Sequence, residues 1–292
     1  MTTGGLPPEG DLRVGPIRLP AGRRIIPFEG TGEPAAWVTG QPVPEPGAAW
    51  SALSGLHAET GLVPILLADE EAGEDFFFYT PAGVADVDRL NAAQVLAARW
   101  AMMRAQAEQT QNSQLSWGAL LSRQFPGLRR DERGRPIWPP PAVAAAELGP
   151  FPGLAPRSDS RLSAAERDAA LGPLPAARIG LVAAQRPADV LAIVGWSTFD
   201  DPARGDQPQN AVWIAAVLRS WEDRFGAQLL NVGPGAVIQL LVERPPRSLE
   251  AAQRIAAEHR VFADECAGTG ASDIPSISAS IVSAPIWTFW WD

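Results

Sequence analysis

The sequence contains no lysine: all 24 of its basic residues are arginine. That absence removes Schiff-base catalysis, the phosphate-gripping lysine of a P-loop, the kinase-type lysine and a Ser-Lys dyad. Cysteine occurs once, as Cys266, so no intrachain disulfide can form and no cysteine-based zinc cage exists. The two histidines, His57 and His259, lie far apart, which excludes a His-rich metal site. Gly-x-Ser-x-Gly and Gly-x-Gly-x-x-Gly motifs are missing, and the residues point to no cofactor. No run approaches the roughly 18 apolar residues of a membrane span. Residues Met1 to Gly15 lack the basic and apolar regions of a signal peptide. The expectation is a cytoplasmic protein with no membrane contact.

Against these absences stand a 46% apolar share and a 20% charged share, enough for a sizeable core in a chain of 292 residues. Glycine (27) and proline (29) are frequent enough to imply many turns. The formal net charge of −9 repels phosphate backbones and anionic membranes. Arg129, Arg130, Arg133 and Arg135 form the densest basic cluster, but Asp131 and Glu132 interrupt it, and it reads as a solvated loop. A protein or small-molecule partner is expected, and no nucleic acid.

Four segments follow along the chain. Residues 1–20 read as a flexible lead-in. Residues 21–109 read as a smaller N-terminal α/β part. Its short strands are Arg24–Phe28, with a proline suited to an edge, Ala36–Thr39, the buried Leu62–Ala68, and Phe76–Tyr79 after the acidic loop Asp69–Asp75. Its helices are Ala48–Glu59, stopped by Gly61, and Asp86 to about Ala107. Residues 110–177 read as a Pro/Arg-rich linker region, with helices near Ala142–Glu147 and Ser163–Ala170.

Residues 178–292 are patterned more clearly. Arg178–Ala184 reads as a strand and Ala188–Val194 as a short helix closed by Gly195. A long helix follows, ending at Phe225, with Ile214, Leu218, Trp221 and Phe225 on one stripe and Gly226 as its left-handed stop. Gln228–Val232 and Val237–Val242 form a hairpin. Ser248 caps a helix to Phe262, Ile274–Val282 is helical, and Ile286–Trp291 is the last strand. The fold class expected is α+β. Leaving out the extra helices, the C-terminal order is βαββαβ, the ferredoxin-like arrangement of an antiparallel sheet with helices on one face.

Gly195-Trp196-Ser197, the run Leu218 to Ala227, Ala257-Glu258-His259 and the tail Trp287 to Asp292 together resemble the bacterial family called domain of unknown function 4253. The resemblance covers about residues 188–292, and more loosely Gly61 to Leu67, and it implies kinship without an activity. Family members often carry Phe-x-Cys-Pro-Asp after the His-containing helix. Here the stretch is Phe262-Ala263-Asp264, with Cys266 displaced and flanked by acids that blunt a thiol.

His259 falls on the inward stripe of its helix. It is either a core histidine or a general base oriented by Glu258, Glu222 or Asp292. These four are the catalytic candidates. Arg219 and Asp223 have the spacing of an exposed ion pair. Asp200, Asp201 and Asp206 lie in a polar loop without EF-hand spacing, and no metal site is expected. Aromatic side chains on both faces of the tail, with Trp196 and Trp221, supply the binding candidates Trp196, Trp221, Trp287, Trp290 and Trp291. The favoured reading is a non-catalytic binding module with a tryptophan-rich surface. Its alternatives are an acid/base, hydrolase-like enzyme using His259, and an immunity-type protein that neutralises a partner.

Overall fold

The computed structural model describes residues 5–28, 32–68, 78, 81–124, 149–196, 207–233, 237–263 and 273–291. Its frame is one sheet with strands β1 (Gly10–Val14), β2 (Ile17–Ile25), β3 (Ala36–Thr39), β4 (Leu62–Ala68), β5 (Ala177–Ala183), β6 (Ala227–Gly233), β7 (Val237–Val242) and β8 (Ile286–Trp290). They lie in the order β1-β2-β3-β5-β4-β6-β7-β8. Every neighbouring pair is antiparallel except β4 with β6.

β4 reads Leu-Val-Pro-Ile-Leu-Leu-Ala because both of its faces are covered, and a doubly buried strand needs no polar alternation. Pro64 is tolerated there because β6 joins only at Leu66 and Leu67, beyond the proline. Its carbonyl accepts a hydrogen bond from Trp50 Nε1 at 2.9 Å, which ties the first helix to the strand.

Helices α1 (Pro46–Gly55), α2 (His57–Thr60), α3 (Val84–Asp88), α4 (Ala92–Gln124), α5 (Ala164–Leu171), α6 (Val190–Val194), α7 (Gln207–Phe225), α8 (Leu249–Phe262) and α9 (Ile274–Ile281) divide between the two faces. The larger core joins Leu96 and Trp100 of α4, Val190 and Val194 of α6, and the stripe Ile214, Leu218, Trp221 and Phe225 of α7. Ile255 and Phe262 of α8 complete it against Val63, Ile65, Leu240, Trp287 and Phe289 of the sheet. A second core lies on the opposite face, where Trp50 and Leu53 of α1 and Leu171 of α5 cover Leu66, Ile179, Leu181, Leu230 and Leu241. Gly226, at φ 62°, ends α7 and turns the chain directly into β6.

The α+β class stands, and the detail departs from expectation in several places, among them the helices expected as single over Ala48–Glu59 and Asp86 to about Ala107, which divide into α1 with α2 and α3 with α4. A ferredoxin-like unit needs β5 and β6 parallel, with a later strand of the same unit between them. Instead β4, from the N-terminal part, fills that place, antiparallel to β5 and parallel to β6. Element order alone could not reveal this insertion, because pairing is decided by which apolar strand fills the centre. Secondly, the segment read as a lead-in supplies the β1–β2 hairpin, whose Leu12, Val14 and Leu19 are buried under the second core. Thirdly, β2 ends at Ile25, eight residues beyond its start at Ile17, rather than beginning at Arg24. Of the expected strand Phe76–Tyr79 only Phe78 is described, and it bridges Trp196. Residues 125–148 of the expected linker, with the helix expected near Ala142–Glu147, the acidic loop Asp69–Asp75 and the polar loop holding Asp200 lie outside the described residues, whereas α4 runs to Gln124 and α5 forms where the helix near Ser163–Ala170 was expected.

Candidate functional site

Trp221 on α7, Glu258 and His259 on α8 and Trp287 on β8 meet in the larger core. Trp221 and Arg224, three apart on α7, point from one side, while Glu258 and His259 point from α8. Trp287 and Phe289 close the third side from β8. Helical spacing explains the first pair and strand alternation the last.

Glu258 is fully buried, and both of its carboxylate oxygens are occupied. Oε1 accepts from the Ala155 backbone N–H at 2.7 Å and from Arg224 Nη1 at 2.8 Å. Oε2 accepts from Trp221 Nε1 at 2.8 Å and from Arg224 Nη2 at 2.6 Å. The two-pronged Arg224 contact is the strong, planar form of a charge-assisted pair. Arg224 Nη1 also donates to the Ala155 carbonyl at 2.8 Å, so the 155 segment is held to α7 and α8 together. A buried carboxylate survives only when paired in this way.

His259 is 1% exposed and sits among aromatic rings, with centroids at 4.5 Å to Trp287, 4.7 Å to Phe289 and 5.0 Å to Trp221. Its Nε2 has no hydrogen-bond partner among the described residues. Burial, with the nearby Arg224 charge as a lesser cause, pushes its pKa down to about 3. At neutral pH the ring is uncharged. A general base needs a reachable substrate proton and a pKa near the working pH, whereas His259 is 1% exposed and its pKa is held well below neutrality.

The other candidates are dispersed. Glu222 faces Arg186 at 3.1 Å and is raised in pKa, chiefly by burial. The expected Arg219–Asp223 pair is replaced. Asp223 binds Arg186 at 2.7 Å, and Arg219 forks onto the buried Asp189 at 2.5 and 2.9 Å and reaches Asp88 at 2.6 Å. Arg219 turns because Asp189, at the start of α6, offers a desolvated partner that the exposed Asp223 cannot match. Asp292 and Cys266 lie outside the described residues.

The tryptophans also require correction. Trp196 and Trp221 are fully buried, Trp287 is 2% exposed and Trp291 7%. They interlock: Trp196 meets Trp291 at 5.5 Å, Trp221 meets Trp287 at 5.7 Å, and Trp291 Nε1 donates to the Phe262 carbonyl at 3.2 Å. Four of the five binding candidates are therefore core. Burying the apolar ring outweighs exposing it, because each aromatic side chain carries a large apolar area. Trp290 alone of the five is half-buried, on the opposite face of β8. There the polar ladder Asn231 to Gln239 at 3.1 Å and Gln239 to Thr288 at 3.3 Å runs across β6, β7 and β8.

Sequence reasoning missed Arg224, Arg186 and Asp189. A signal existed for the first: Arg224 follows Trp221 by three, on the side of α7 that faces inward. Among the described residues no three His, Cys, Asp or Glu side chains gather to hold a metal ion, and no helix is long and apolar enough to cross a membrane.

The C-terminal part, residues 178–292, matches the family model described as Domain of unknown function (DUF4253). No curated protein and no solved structure matches the chain.

Proposed function

Starting from a C-terminal part whose family carries no stated activity, we propose that this chain is a non-catalytic interaction module of the cytoplasm. Its partner is a protein that meets the β8 end of the sheet. The observation that carries the reading is the saturation of Glu258: four donors occupy the carboxylate that would have to orient His259. The pair Glu258 and Arg224 works as a brace between α7, α8 and the 155 segment. For acid/base work, a substrate would have to pass Trp287 and Phe289 to touch His259 Nε2.

The half-buried surface that remains at this end of the sheet is Trp290 with Thr288, Gln239 and Asn231. An amphipathic aromatic ring beside amide and hydroxyl groups suits protein contact, where Trp serves as an anchor. The test is a photo-crosslinking residue at position 290 in the full chain, with the exposed position 18 on β2 as control. A discrete adduct to a polypeptide from position 290 alone is the expected result. Equal, diffuse labelling at both positions would defeat the reading.

A further inference from the structure

The two edges of the sheet are built differently. β1 carries Asp11 and Arg13 exposed, a positive-φ glycine at Gly10 (105°) and a register shift between Gly10 and Leu12. Charges and bulges are the devices that keep an edge strand from pairing with another chain. β8 has none of them. Ile286 to Trp290 holds no charge, no proline and no register shift against β7, in a chain whose net charge is −9.

The direction of the free backbone groups follows from the register. The Val242 N–H donates to the Pro285 carbonyl at 2.8 Å, and Leu241 lies opposite Ile286, Leu240 opposite Trp287 and Ile238 opposite Phe289. Hydrogen-bonded pairs alternate in an antiparallel ladder. Trp287 and Phe289 therefore spend their backbone groups on β7. The N–H and C=O of Ile286, Thr288 and Trp290 turn outward, and among the described residues no strand lies beyond them.

These three outward residues are self-complementary. With Thr288 opposite itself across a twofold axis, Ile286 falls opposite Trp290 of the other copy, and Trp287 lies beside Phe289 of the other copy. Thr–Thr and aromatic–β-branched neighbours are the stabilising cross-strand pairs, and an uncharged strip is where two acidic molecules approach with least repulsion. We propose that two copies of this chain pair antiparallel through β8 about an axis at Thr288, joining their sheets into one. The proposal rests on the interaction reading above and names its partner as a second copy.

Thr288→Pro tests it, because that N–H faces outward and its loss leaves the β7 ladder intact. Sedimentation of the full chain is expected to give twice the 31.0 kDa monomer mass, with Thr288→Pro weakening the dimer more than about tenfold. Thr288→Val should preserve it. If Thr288→Pro alters the circular dichroism, Thr288→Lys decides, since it keeps the backbone donor and adds a repelling charge to each copy. In a Cys266→Ser background, Thr288→Cys should form a disulfide-linked dimer under mild oxidation, since a hydrogen-bonded pair separates its Cα atoms by about 5.5 Å. A 31.0 kDa species at every concentration, or a dimer indifferent to both Thr288→Pro and Thr288→Lys, would overturn the pairing. Crosslinks from position 290 only to a different protein would overturn the second copy and leave the interaction reading standing.

Discussion

Replacing Glu258 by glutamine tests the brace with almost no change in volume. The carboxylate takes four donors on two oxygens, whereas the amide offers one acceptor oxygen and two hydrogens. Whichever way it turns, an NH2 group faces donors: Arg224 Nη1 with the Ala155 N–H, or Arg224 Nη2 with Trp221 Nε1. Arg224, with a side chain 14% exposed, is then left without its counter-ion. Removing one partner of a buried pair costs about 3–5 kcal/mol. Urea unfolding followed by tryptophan fluorescence should show that loss as a lower midpoint at an unchanged slope. The double variant Glu258→Leu with Arg224→Met removes both charges, and it should cost much less than the sum of its single variants. A Glu258→Gln loss below about 1 kcal/mol, or strict additivity in the double variant, would refute the claim that the pair is a desolvated brace.

Other residues give further predictions. Asp189→Asn removes the fork that holds Arg219 between α6 and α7, and calorimetry should report a loss of about 1.5–3 kcal/mol. Gly22→Ala drives a methyl into the Trp37 ring and the Val38 carbonyl across the β2–β3 ladder, so thermal unfolding should fall by about 1–3 kcal/mol. Ser163→Ala breaks the reciprocal bonds of Ser163 and Glu166 at the start of α5, and about 1 kcal/mol should be lost, visible as faster amide exchange confined to that helix. For His259, a folded-state pKa of about 3 against about 6.5 unfolded means that the unfolded chain takes up the proton first as pH falls. Stability contributed at this residue is therefore complete above pH 6.5. It is lost between 6.5 and 3 at about 1.4 kcal/mol per pH unit, and His259→Gln should flatten that part of the profile.

Where periodicity and punctuation coincide, the sequence announces its structure. The α7 stripe with Gly226 at its end, the Ser248 cap, the β6–β7 hairpin and the alternation of Trp287, Phe289 and Trp291 all formed where their local chemistry pointed. The insertion of β4 between β5 and β6 was not legible, because an all-apolar strand says that it is buried and does not say beside what. The β1–β2 hairpin was hidden by its glycines and prolines, although Leu12, Val14 and Leu19 carry its buried pattern. In the site, His259 facing inward followed from helical spacing. Arg224 as the partner of Glu258, 34 residues away, did not, since an arginine at a helix end reads as solvated until a carboxylate is placed against it. The tryptophans were misread as a surface because alternation names two faces and leaves open which of them a neighbouring helix covers.

The imidazole on α8 is above all a neutral structural group sealed among rings. Ring-carbon NMR shifts of the full chain against pH address this directly, with the His57→Asn variant distinguishing the two histidines. The His259 signal is predicted to stay flat from pH 8 down to about 4, with no inflection near the ordinary value of about 6.5. A full titration step centred near 6.5 in the folded protein would contradict it.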